Sequence, residues 1–133
     1  MIVSFALIFV AGLLNGVMDK IKHHWDDSVF KTISDPFWFK FFHKESWRNK
    51  YKFGWSNPKI LERNNVPITF TDAWHFAKSL MLVCIAVAIP FVSAESVKEF
   101  VVLALTYRVL FGVGFNLTYR ILLGNETKKN TSK

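Results

Sequence analysis

The chain has 133 residues, of which 51% are hydrophobic and 17% aromatic, and it carries 17 Lys and Arg against 10 Asp and Glu for a formal net charge of +7. Its mean hydropathy is +0.22, which is one domain's worth of chain with more continuous apolar sequence than a soluble domain of this size needs. A lone cysteine, Cys84, excludes an internal disulfide and reads as a small hydrophobe. The cations sort around the apolar runs and form no stripe on a soluble fold, which excludes nucleic-acid binding.

The first apolar run, Ile2–Met18, lies at the lower edge of bilayer-spanning length. Nothing basic precedes it, and Asn15-Gly16-Val17-Met18-Asp19-Lys20 makes a poor cleavage site. It therefore reads as a retained membrane helix over about 2–19 and not as a signal peptide. Gly12 and Gly16, four apart, allow a neighbouring helix to approach closely.

Residues 20–71 form a basic, aromatic segment. Ser34-Asp35-Pro36 is a helix start, an N-cap acid followed by proline at the first helical position. Phe37, Trp38, Phe41 and Phe42 then share one side, while Lys40, Lys44 and Arg48 lie away from it. That pattern predicts an amphipathic helix in the headgroup plane, or a cap packed on the spans, and one surface can serve as both. Gly54-Trp55-Ser56-Asn57-Pro58 and Asn64-Asn65-Val66-Pro67 read as turns.

A second span is predicted over about 72–92, opened by a Thr71-Asp72 cap, and a third over about 99–123, followed by a basic tail over 124–133. The Lys and Arg residues between Lys20 and Arg63, with Lys128, Lys129 and Lys133 in the tail, place both segments in the cytoplasm. The turn between the second and third spans holds Lys98 beside Glu95 and Glu99. The fold class is thus all-α integral membrane: one membrane domain, 1–133, of three transmembrane helices plus a cytoplasmic-side amphipathic interfacial helix. The N-terminus lies outside and the C-terminus in the cytoplasm, in a bacterial-type inner membrane. Asn-x-Thr/Ser triplets at Asn116, Asn125 and Asn130 then lie where glycosylation does not occur. Trp25, Trp38, Trp47, Trp55 and Trp74 fall on the cytoplasmic side as an aromatic belt.

Ionisable groups that enter a membrane are costly and mark candidate sites. Asn15, Asp19 and His23 are spaced by four along the first span. Asp72, His75 and Ser79 run along one side of the second, with Lys78 close by. Arg108, Gly112, Asn116 and Arg120 step by four along the third. Asp19, His23, Asp72, His75, Asn116 and Arg120 are expected at one depth, facing each other or a wet cavity. Asp19, His23, Asp72 and His75 are candidate ligands for zinc, manganese or iron, with His24 an alternative to His23, and Asp72 and His75 are candidate catalytic groups. Lys40, Lys44, Arg48 and Arg120 are candidate lipid-phosphate contacts. Arg108, with Tyr107 beside it, is expected near the midplane with Ser79 or Asn15 as neighbours, or with a partner from another subunit.

Three functions remain open from sequence, and whether the chain is an enzyme is undecided. One is a non-enzymatic structural or regulatory subunit, or small oligomeric assembly, organised around the polar intramembrane cluster. In that reading Asp19 or Asp72 pairs with Arg120 or Lys78 between helices. Another is a membrane-embedded, metal-dependent enzyme acting on lipid headgroups at the cytoplasmic face. The third is an ion or proton transport unit running past Arg108, Asn116 and His75. The partners implied are the bilayer, anionic lipids within it, and a homo-oligomer or membrane complex.

Overall fold

The structure, a computed structural model, describes residues 1–50, 67–92 and 94–123, and among these it is all-helical. Four helices are α1 (Ile2–His23), α2 (Pro36–Phe42), α3 (Ala73–Ala88) and α4 (Val97–Asn116). A π-helical stretch, Leu117–Leu122, continues α4, closed by Leu123 N–H donating to the Thr118 carbonyl at 3.0 Å. Short 3-10 turns join the rest. The turns expected around Gly54 and Asn64, and the tail, lie outside the described residues.

Among the described residues two helices are long and apolar enough to cross a membrane, Ile2–His23 and Val97–Leu122, whose most apolar 18-residue stretches have mean hydropathy 2.0 and 1.7. α3 is shorter than expected. It has 16 residues, about 24 Å at 1.5 Å per residue, against a hydrocarbon layer of about 30 Å. Proline is the cause: Pro90 lacks the N–H that would bond back one turn, and the helix passes at Ile89 into a 3-10 turn, Ile89–Phe91.

α1 lies in the middle. α3 packs on one side of it and α4 on another, while α3 and α4 share no substantial contact. The α1–α4 crossing is made by glycine. A Cβ on Gly12 would strike the Phe111 carbonyl oxygen, and one on Gly114 the Phe9 carbonyl oxygen. A Cβ on Gly16 would stand 2.8 Å from the Thr118 Cβ. Only hydrogen fits, so backbones meet directly, as the Gly12–Gly16 spacing predicts. The two helices run parallel: Tyr107 Oη donates to Ser4 Oγ at 2.8 Å, Gly16 meets Thr118, and Val29 N–H donates to the Leu123 carbonyl at 3.2 Å. On α3 the buried residues are Ala73, Ala77 and Ala88, again small ones at helical spacing.

At the end of the bundle where α1 finishes and α3 begins, Ile21, Trp25, Phe30 and Ala73 form the principal buried cluster. α2 caps this end. Its start is as predicted: the Asp35 carboxylate accepts from the N–H groups of Phe37 at 2.9 Å and Trp38 at 3.0 Å. Its end comes earlier, because the chain turns at His43, whose Nδ1 accepts from the Glu45 N–H at 3.1 Å. Lys44 and Arg48 therefore lie beyond the helix. The aromatic face also divides. Phe39, Phe41 and Phe42 pack on the buried cluster, with Phe42 stacked on Phe30 at 4.8 Å, while Phe37 and Trp38 stand exposed.

Candidate functional site

Asp72 is the N-cap of α3 and is fully buried. One carboxylate oxygen accepts the His75 backbone N–H at 3.0 Å. The other accepts the Thr71 hydroxyl at 3.0 Å and lies 2.7 Å from His75 Nδ1. A proton on Nδ1 completes that bond, fixes the ring and leaves Nε2 for another partner. The i, i+3 spacing read from sequence is thus a real pair, and the cap geometry of the first helical turn creates it. Asn49 holds the adjoining loop in place through its side-chain amide, which donates to the carbonyls of Thr71 and Lys40, both at 3.0 Å.

Asp72 and His75 border a cavity of about 230 Å³. Its walls come from three segments: Ile21 and Lys22 at the end of α1, Lys44, Ser46 and Trp47 in the loop after α2, and Trp74 on α3. Lys22 Nζ lies 5.9 Å from the centre of the Trp74 ring, and Lys78 Nζ 4.9 Å from it. Lys44 Nζ is 3.6 Å from the Asp26 carboxylate. Two ammonium groups, an oriented imidazole and a buried hydroxyl residue, Ser46, thus surround one space beside a carboxylate already occupied by its own partners. Such a set suits an anion.

The other predicted residues are dispersed. His23 is exposed and Asp19 half-buried. Among the described residues no three His, Cys, Asp or Glu side chains stand together closely enough to hold a metal ion, so Asp19, His23, Asp72 and His75 do not form one ligand set. The alternative, His24, packs edge-on against Tyr119 at 5.2 Å. Lys78 lies over Trp74 and is not paired with Asp72. Ser79 shares a hydrogen bond with Thr69 at 3.2 Å and not with Arg108. Tyr107 turns to Ser4, which leaves Arg108 pointing away from α1.

Arg108, Asn116 and Arg120 do share a face, as their spacing predicts, but it is the outer face of α4. They line an open groove of about 570 Å³ with Val109, Gly112 and Val113. Asn116 donates back to the Gly112 carbonyl at 2.8 Å, and all three side chains are exposed. Because α1 separates α3 from α4, this face and the Asp72–His75 pair do not meet, and Arg108, Asn116 and His75 line no common path within one chain. The expected lipid contacts divide likewise. Lys44 stands at the cavity, Lys40 in a neighbouring recess with Phe37 and Phe70, Arg48 beside Glu45 at 3.3 Å, and Arg120 across the bundle.

Lys22, Ser46, Trp47 and Trp74 were not sequence candidates for this site. Ile21, an apolar position at the end of α1, marks the side that α3 covers, and Lys22 follows it. Ser46 and Trp47 reach the cavity only through the turn at His43, which no periodicity announces. The chain matches no known protein family, no curated protein and no solved structure.

Proposed function

We propose that this chain is a three-span integral membrane protein that serves as a non-enzymatic subunit of a membrane assembly, joined to its partner through the outer face of α4. The N-terminus is outside and the C-terminus cytoplasmic. α3 together with the Ile89–Phe91 turn makes the second span. The exposed rings of Phe37, Trp38, Trp47 and Phe70 lie at the headgroup level, beside anionic lipid.

One observation carries the reading: of the two membrane-length helices, the α4 span is much the less covered, yet it carries two arginines. Only 6% of its most apolar window is buried, yet Arg108 and Arg120 open onto that face. Arg108 lies eleven residues into a helix that begins at Val97, about 16 Å along its axis, where lipid contact is expensive. A symmetric pair of copies meeting here would set guanidinium against guanidinium. A membrane helix carrying a carboxylate or amide satisfies the arginines instead. Detergent-corrected mass measurement of the purified protein tests this, and the expected result is a monomer. A homodimer that crosslinks between Val113 positions would overturn the heteromeric reading.

A further inference from the structure

The geometry points to a second role, independent of the α4 face: the Asp72–His75 cavity binds a phosphate group. Its source is either the headgroup of an anionic lipid or a free phosphate, and the headgroup source rests on the membrane reading above. The cavity has room for the group, since about 230 Å³ exceeds several times the roughly 30 Å³ that a water molecule occupies in the liquid. Its cations come from segments distant in sequence, Lys22 on α1 and Lys44 after α2, and both stand at the mouth. Lys44 is held by Asp26 across 3.6 Å, but that pair is exposed on both sides, at 47% and 67%, and such pairs yield readily to a stronger anion.

His75 supplies the directional contact. With Nδ1 held by the buried Asp72 carboxylate at 2.7 Å, the ring is fixed at the wall of the cavity and Nε2 is left for another partner. An N–H at Nε2 would donate to a phosphate oxygen. The Asp72 oxygens are directed to the His75 N–H, the Thr71 hydroxyl and the ring, so they are not presented to the anion. The indoles of Trp47 and Trp74 complete the walls and give the site its own optical signal. A lipid phosphate would reach it from the aromatic rim, because Trp47, exposed at 42%, belongs to that rim and also lines the cavity.

The test uses the full chain in neutral detergent, titrated separately with short-chain phosphatidic acid, short-chain phosphatidylcholine and inorganic phosphate. Tryptophan fluorescence and native mass spectrometry are the readouts. Phosphatidic acid should bind and shift the emission. The Lys22→Ala/Lys44→Ala variant should bind about tenfold more weakly. His75→Gln should also weaken binding, and Lys98→Ala, at the other end of the bundle, should leave it unchanged. Competition by inorganic phosphate assigns the site to the phosphate group alone; lack of competition assigns it to the lipid headgroup. Should the double variant fail to give a helical far-UV spectrum, Lys44→Glu, at an exposed position, replaces it with the same expectation. Equal binding of phosphatidic acid and phosphatidylcholine with inorganic phosphate inert, or undiminished binding by the folded lysine variants, overturns the proposal. The mass measurement that tests the assembly reading is untouched by either result.

Discussion

Asp72 satisfies three donors with two oxygens while shut away from solvent, so removing it takes an acceptor from the His75 N–H, the Thr71 hydroxyl and the imidazole together. Asp72→Ala should cost about 1–3 kcal/mol. Asp72→Asn, which keeps the cap oxygen, should cost less; thermal unfolding of the two variants makes the comparison. The glycines give a second contrast. Gly12→Ala places a methyl group against the Phe111 backbone oxygen, which cannot move aside as a side chain tip can, and should lose about 1–3 kcal/mol of helix association. Gly112→Ala meets only the end of Arg108, at 3.3 Å, and should be tolerated. His43 adds a pH dependence. Burial, with help from Lys44 and Arg48, holds its pKa below the ordinary 6.5, against the opposing pull of Glu45 and Asp26. The folded state therefore favours the neutral ring, whose Nδ1 accepts from the Glu45 N–H. This contribution is complete above pH 6.5 and is lost as the pH falls through the lower folded value. Melting temperature should drop between pH 7 and 5, and His43→Gln should flatten that slope.

Among the elements, α2 depends most on a single residue. Seven residues are too few to be helical on propensity alone, and the Asp35 carboxylate satisfies two of its free N–H groups. Asp35→Ala should remove about 1 kcal/mol from it, visible as faster amide exchange over 36–43 with α1 unaffected. The start of this helix was readable because Asp35-Pro36 is a local signal. Its end was not, because the charge and aromatic spacing continues past the point where His43 turns the chain. The same distinction explains α3. Apolar character runs on to Val92 and suggested a longer helix, but backbone chemistry at Pro90 sets the boundary. The Asp72–His75 pair could be read from i, i+3 spacing because both groups belong to one helical turn. The convergence of three helices on a single cluster could not be, since no helix's own periodicity says which of the three lies in the middle.

For the whole molecule, the parallel run of α1 and α4 puts the start of α1 and the end of the π-helical stretch at opposite ends of the bundle. Side-specific labelling checks this. In a Cys84→Ala background, Ile2→Cys and Lys31→Cys should react with an impermeant thiol reagent from opposite faces of sealed vesicles. Labelling of both from one face would contradict the arrangement.

With α1 interposed between its two neighbours, neither α3 nor α4 needs the other as a template. The chain should accordingly tolerate division: a fragment ending after α3 and a separate peptide carrying α4 should recombine when co-expressed, their union centred on the glycine seam. Gly114→Leu in the peptide should abolish rejoining, whereas changes at Ala77 should not.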